Sequence, residues 1–248
     1  MPQPLSRVKS KANISIGARE LGNHHPENLQ SALRVIAHWS EIDSDVAILV
    51  SQFLKSDVET GMAMYQALSG GAAKRAVALA ASKSALPEWQ FLLFQAIGKA
   101  TQKSREQRNI FAHGVWAYSE DIPQASLLVP LSAIIDRTVR HKTQYKSSGE
   151  GAQVITFTDY DRSKIMVYRQ SDFHAAVSEA DNAAFSYFSF WHLLRHRDEL
   201  ARRWLLNAPG IAQALRPLLI GSSQATQLLL RSPEPDEAPP EGLIIYQT

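Results

Sequence analysis

The chain has 248 residues, of which 45% are hydrophobic and 20% are charged. These proportions are typical of globular proteins, so they exclude a wholly disordered or fibrous chain. The sequence contains 0 cysteines, which excludes disulfide bonds, thiol nucleophiles and cysteine-ligated zinc. The formal net charge is +2, from 26 Lys and Arg against 24 Asp and Glu. This near balance excludes a protein that coats nucleic acid with a strongly basic surface.

No stretch of the sequence approaches the roughly 18 consecutive apolar residues that a membrane helix needs. Residues 1–25 are weakly basic and contain Pro2, Pro4 and Gly17, but they lack the apolar segment of a signal peptide. We therefore expect a cytoplasmic protein without membrane contact, which begins with a flexible arm over residues 1–25.

Helical spacing of apolar residues dominates the first half of the chain. Steps of three and four residues between apolar positions begin at Leu29. Ser56 and Glu59 match a capping box, and Gly70-Gly71 and Gly114 are typical helix breaks. Pro87 suits the first turn of a helix. Together these features predict helices over residues 28–54, 57–68, 72–82 and 87–113.

The pattern changes after Tyr118. Residues 119–131 contain two prolines, Pro123 and Pro130, and are predicted to form a loop. Residues 153–158 and 165–169 are rich in β-branched and aromatic side chains. Because a turn-like Asp159-Tyr160-Asp161 lies between them, we predict a β-hairpin inserted at about residues 152–170.

A long helix is predicted to follow this insertion. Ser171-Asp172 would cap it, and it would run to about Leu206 before a short helix over 211–219. Residues 221–248 form an acidic, Pro-rich tail that we expect to be disordered. The predicted fold is therefore mostly α, a single helical bundle over residues 26–220 with an inserted β-hairpin.

A local basic segment lies within this nearly neutral chain. Residues 99–113 contain four Lys or Arg and only Glu106 as an acid. The segment ends in Arg108-Asn109-Ile110-Phe111-Ala112-His113-Gly114. The spacing of an Arg and a His also occurs at Arg19 and Arg169, but only Arg108 and His113 lie together at the end of a predicted amphipathic helix.

This motif resembles the signature of the HEPN superfamily (higher eukaryote and prokaryote nucleotide-binding domains), and the resemblance covers about residues 28–116. It implies a helical bundle and a metal-independent endoribonuclease that leaves 2′,3′-cyclic phosphate ends, such as a toxin or phage-defence effector. It also implies a homodimer in which the motifs of both subunits line one cleft. RNA would be the substrate, an antitoxin or defence protein a possible partner, and no cofactor or metal is expected.

The residue types suit this chemistry. By the resemblance, His113 would act as general base or acid, Arg108 would hold the phosphate, and Asn109 would orient the imidazole or the phosphate. Asn109 and His113 are four residues apart and share a helix face. Arg108 lies about 140° from His113 around an ideal helix, so a cleft shared by two subunits, or a distorted helix end, would be needed to bring both together.

Several alternatives remain open. His113 before Gly114 is also typical of an ordinary helix end, and the chain could be a non-catalytic HEPN-like module that binds a protein partner or a nucleotide. His192 and His196 have metal-ligand spacing, but Arg195 would repel a cation, so we expect no metal there or at His24-His25. The aromatic residues of the last long helix favour the core or a dimer contact, with base stacking as the alternative: Phe185, Tyr187, Phe188, Phe190 and Trp191. The arginines that follow favour a solvated face, with phosphate contact as the alternative: Arg195, Arg197, Arg202 and Arg203. We expect Glu41, Asp43 and Asp45 to point to different faces of the first helix.

Overall fold

The computed structural model describes residues 1–130, 132–133, 142–148, 151–157 and 161–230. The chain is mostly helical, as the sequence predicts. The chain divides into two compact units, each built from two segments of the sequence. Unit 1 comprises Met1–Trp39 and Ser104–Ala180, and unit 2 comprises Ser40–Lys103 and the chain from Asp181 onward.

The helices agree with the predicted ones in position more than in length. They are α1 (Leu5–Val8), α2 (Ala18–His24), α3 (Pro26–Phe53), α4 (Val58–Ala67), α5 (Gly71–Ala85), α6 (Glu88–Ala100), α7 (Gln102–His113), α8 (Gln170–His196), α9 (Glu199–Asn207), α10 (Pro209–Leu215) and α11 (Gln224–Leu229). In the described part of the chain, no helix has the length and the apolar character needed to cross a membrane.

Two long predicted helices are each split in the structure. The helix predicted over 87–113 is interrupted at Thr101, whose hydroxyl donates to the carbonyl oxygen of Ile97 at 2.9 Å. The helix predicted to reach Leu206 ends at His196, because Arg197 adopts a left-handed backbone with φ of 52°. Asp198 then caps α9 by accepting from the backbone N–H groups of Leu200 and Ala201.

Unit 1 contains a five-stranded antiparallel sheet. Its strands, in the order β1-β7-β4-β3-β2, are β1 (Gln3–Pro4), β7 (Met166–Arg169), β4 (Ala125–Val129), β3 (Val115–Tyr118) and β2 (Ser15–Ile16). One side of the sheet packs on an apolar cluster that includes Leu5, Leu127, Ile165 and Val167. The other side faces the aromatic cluster that holds α7, described below.

The prediction of a loop over residues 119–131 was wrong, because β4 occupies its centre. All five residues of β4 are buried, so the strand lacks the alternation of apolar and polar positions that marks a half-exposed strand. Pro123 and Pro130 flank the strand and do not interrupt it.

The predicted hairpin was also wrong in its pairing. Residues 151–157 form β6, which pairs with β5 (Lys142–Ser148), with Tyr145 opposite Val154. The second predicted strand is β7, which pairs with β1 and β4 of the five-stranded sheet instead. Residue patterns locate strands, but they do not identify the partner strand. Asp159 and Tyr160 of the predicted turn lie outside the described residues.

The first 25 residues do not form the predicted flexible arm. They supply α1, α2 and the two edge strands, and Leu5, Ala12 and Leu21 are fully buried. Pro4 is compatible with β1 because an edge strand leaves some N–H groups unpaired. Within the predicted tail, residues 224–229 form α11, and the remainder from residue 231 lies outside the described residues.

Candidate functional site

The inward face of α7 is anchored by polar contacts to residues that are distant in sequence. Trp39 on α3 donates from its indole Nε1 to the hydroxyl of Ser104 at 3.0 Å, and both side chains are buried. The guanidinium carbon of Arg105 lies 4.9 Å from the centroid of the Trp39 ring, a cation–π contact. These contacts fix the first turns of α7 within unit 1.

Further along α7, Gln107 and Phe111 hold the helix against the sheet. Gln107 donates from Nε2 to the Tyr168 hydroxyl at 3.0 Å. Phe111 is buried, and its ring lies 5.4–5.5 Å from those of Trp116, Tyr168 and Phe173. Burial raises the pKa of Tyr168, so the phenol is kept in its neutral form.

The end of α7 lies against β4. The N–H of Gly114 donates to the carbonyl oxygen of Ile110 at 2.9 Å, which continues the helical hydrogen-bond pattern past His113. A side chain at position 114 would place its Cβ 2.7 Å from that oxygen and 2.8 Å from the Leu128 side chain. Glycine is therefore required by this close approach, and its place after His113 agrees with the predicted helix end.

The candidate residues Asn109 and His113 lie on the outward face of α7. Both side chains are exposed, as is Glu106, and Ile110 beside them is 44% exposed. Positions 106, 109, 110 and 113 follow the spacing of one helix face. The structure thus brings Asn109 and His113 onto one solvent-facing surface, as their four-residue spacing predicts.

Arg108 lies at the border between the inward and outward faces. Its side chain is half-buried, and its Nη1 donates to the Asn109 side-chain oxygen at 3.1 Å. Its Nε is buried and has no hydrogen-bond partner among the described residues. A buried N–H of a guanidinium carries a large free-energy cost until an acceptor reaches it. Arg108 is therefore hydrogen-bonded to Asn109, and its Nε–H is available to a further acceptor.

Because α7 is helical through His113, a distorted helix end does not bring Arg108 and His113 together. The two side chains diverge by about 140° around the axis of a regular helix.

The other histidine pairs have different surroundings. His24 stacks on Tyr118, with ring centroids 3.8 Å apart and planes 3° apart. His25 is buried, with Nδ1 3.8 Å from a Glu27 carboxylate oxygen. Within the described ranges, no group of three or more His, Asp or Glu side chains could hold a metal ion.

The acidic residues of α3 correct one expectation. We expected Glu41 and Asp45 to lie on different faces, but residues four apart share a face of a helix. Burial raises the pKa of Asp45, and the nearby Glu41 charge raises it further. Burial is the larger cause of the raised pKa, and both carboxylates lie in unit 2.

The aromatic residues of α8 divide into two groups. Tyr187 and Phe190 are buried and contact Phe94, as expected of core residues. Phe188, in contrast, is 52% exposed. The sequence favours a core or dimer contact for the whole group, because it shows where each residue lies on the helix but not how exposed the side chain is.

Comparison of the chain with protein-family models, curated proteins and solved structures finds no match. The roles of the α7 residues must therefore be argued from their own geometry. The residues that position α7, above all Trp39, Ser104 and Tyr168, carry no sequence motif that marks them. The sequence places Ser104 four residues before Arg108 on the same predicted helix, but no local pattern relates it to Trp39 or Tyr168.

Proposed function

We propose that this chain is a HEPN-like, metal-independent endoribonuclease that acts as a homodimer. The observation that carries the proposal is the surface formed by Arg108, Asn109 and His113 on α7. The arginine is linked to the asparagine and retains an unpartnered buried Nε, and the histidine is exposed on the same face as the asparagine. A cleft shared by two subunits would place the phosphate-binding guanidinium of one chain opposite the proton-transferring imidazole of the other.

The proposed reaction begins when one His113 removes the proton of a ribose 2′-OH. The 2′ oxygen then attacks the adjacent phosphorus, and the bond to the 5′ oxygen breaks. The second subunit's copy of this histidine donates a proton to that leaving oxygen. Arg108 stabilises the negative charge that develops on the phosphate oxygens, and Asn109 holds the guanidinium in place. The products are a 2′,3′-cyclic phosphate and a 5′-hydroxyl end.

The proposal is tested by incubating purified protein with labelled single-stranded RNA in the presence of EDTA. We expect cleavage to continue without metal, and the products to carry cyclic phosphate ends. Replacing the proton-transfer group in His113→Ala should lower the cleavage rate by about a hundredfold or more. Arg108→Lys keeps the charge but loses the bidentate fork, so it should also lower the rate.

A matched control is available in the same chain. His174 is exposed on α8 and follows Arg169 at the same spacing as His113 follows Arg108. His174→Ala should cleave RNA like the unaltered protein. Equal cleavage by the His113→Ala and unaltered proteins would contradict the proposal. The same holds if no RNA is cleaved by the folded protein, in which case the alternative, a non-catalytic module that binds a protein or a nucleotide, would be favoured.

A further inference from the structure

A second surface of interest lies at the end of α8 in unit 2. Five side chains form it, and together they are named here the α8 aromatic patch: Phe188, Trp191, His192, Arg195 and His196. Phe188 is 52% exposed, Arg195 and His196 are exposed, and the remaining two are half-buried. The patch therefore presents aromatic rings to solvent instead of to the core.

The rings of the patch contact one another in a continuous series. The Phe188 ring lies 6.5 Å from that of Trp191 and 4.4 Å from that of His192. The His192 ring in turn lies 5.3 Å from that of His196. These mutual contacts restrict the side chains before any ligand binds, which lowers the entropic cost of binding.

The formal charge of the patch comes from Arg195, and Arg197 follows the patch directly in the chain. The segment Phe188–Arg197 contains these two arginines and two histidines but no Asp or Glu. Arg195 lies over Trp191, with its guanidinium carbon 5.0 Å from the ring centroid. The nearest acids in sequence are engaged elsewhere, because Asp198 caps α9 and Glu199 pairs with Arg202 at 2.6 Å. A partner for this surface must therefore supply negative charge as well as flat apolar groups.

This composition disfavours a contact between two copies of the patch. In a two-fold symmetric dimer, the same residues face one another across the axis. Two patches of arginine and histidine without a carboxylate would then oppose like charges, which lowers affinity. The patch thus differs from the dimer contact that the aromatic sequence pattern suggests.

We propose that the α8 aromatic patch binds single-stranded nucleic acid. Bases would stack on Phe188 and on the Trp191–Arg195 pair, and the phosphates would contact Arg195 and Arg197. Stacking platforms combined with basic side chains are the usual means of binding single strands without sequence preference. This binding does not depend on cleavage at α7, since every contact involved lies in unit 2.

The experiment measures binding of the full chain to a fluorescent single-stranded DNA of about 12 nucleotides by anisotropy. DNA lacks the 2′-OH, so it cannot be cleaved by the proposed reaction, and binding is read independently of nuclease activity. Phe188→Ala and Arg195→Glu should each weaken binding by about fivefold or more, as expected for the loss of one stacking or phosphate contact. A duplex of the same sequence should bind more weakly, because its bases already stack on each other.

Two control variants match these changes within unit 2. Met64→Ala removes a side chain that is 59% exposed on α4, and Arg75→Glu makes the same charge change on α5. Both should bind DNA like the unaltered chain. If Arg75→Glu and Arg195→Glu weaken DNA binding equally, the change in net charge explains the effect, and the proposal is overturned. Dissociation of a dimer by Phe188→Ala, with DNA binding unchanged, would overturn it in favour of a subunit contact.

Discussion

Gly114 is the residue that connects the position of His113 most directly to the fold. A methyl group at position 114 would meet the Ile110 carbonyl and the buried Leu128 side chain, both within 3 Å. Neither neighbour can withdraw easily, since one is helix backbone and the other is packed in the core. We expect Gly114→Ala to lower the free energy of unfolding by about 1–3 kcal/mol, as overpacking does, measured by urea denaturation.

Gly98 provides the matched comparison. It lies within α6, and a Cβ at this position would meet nothing within 4 Å. Gly98→Ala should therefore stabilise the protein by about 0.5–1 kcal/mol, because alanine loses less backbone entropy in a helix than glycine. If Gly114→Ala were as well tolerated as Gly98→Ala, close approach would not be the reason for glycine after His113.

For single residues, the sequence predicts the features that depend only on residues nearby in the chain. The shared face of Asn109 and His113 follows from their spacing on one helix. The contacts that hold this helix join residues 65 positions apart, for Trp39 and Ser104, and 61 positions apart, for Gln107 and Tyr168. No local pattern encodes such pairs, so the groups that position the site could not be predicted.

Among the elements, α11 shows how a segment that resembles a tail is held in place. Glu88 on α6 accepts hydrogen bonds from the hydroxyl of Thr226 at 2.7 Å and from that of Ser223 at 2.9 Å. Thr226 and Leu230 are buried. The proline-rich composition predicts disorder from residue 221, but these hydrogen bonds and the buried side chains of Thr226 and Leu230 hold residues 223–230 in place.

This arrangement predicts a dependence of stability on pH. The hydrogen bonds from Thr226 and Ser223 lower the pKa of Glu88 in the folded chain. The carboxylate therefore stabilises the fold above the usual pKa of glutamate, about 4.3, and this contribution is lost as the pH falls through the lowered pKa. We expect Glu88→Gln to lower the free energy of unfolding at pH 7, with a difference from the unaltered chain that shrinks as the medium is acidified.

Urea denaturation of both proteins between pH 3 and pH 7, a range that contains the usual glutamate pKa of about 4.3, measures this difference. Glu120→Gln, at an exposed turn residue of unit 1, serves as the control and should leave the unfolding free energy close to that of the unaltered chain at every pH. A Glu88→Gln effect that is constant over the range would show that the hydrogen bonds stabilise α11 without dependence on the charge.

The elements also show where sequence patterns cease to be informative. The helices follow from apolar spacing, because each has one buried and one exposed face. The strand β4 is buried on both faces and was missed, and β7 was located but assigned the wrong partner. Strand pairing depends on contacts between distant segments, such as that of β1 with β7, and a single sequence does not record them.

For the whole molecule, the division into two units follows from this same non-local pairing. Both units are built from discontinuous segments, and α3 and α8 each contribute one part to unit 1 and another to unit 2. Linkers are recognised in a sequence by breaks between helices or strands. Boundaries between the units fall inside α3 and α8, where the sequence has no such break, so it predicts a single domain. The candidate α7 residues from Ser104 onward belong to unit 1, and the α8 aromatic patch belongs to unit 2, so each can be altered separately.

The proposed homodimer makes a prediction about mixed assemblies. The proposed reaction uses one His113 from each subunit, so a cleft shared by two subunits needs both histidines. A heterodimer of the unaltered chain and His113→Ala has a single histidine in that cleft. We expect such heterodimers, purified through two different tags, to cleave RNA far more slowly than about half the rate of the unaltered dimer. A heterodimer of the unaltered chain and His174→Ala is the control and should cleave RNA like the unaltered dimer. If the heterodimer with His113→Ala keeps about half of the unaltered rate, each chain acts with its own His113 alone, and the shared cleft is wrong.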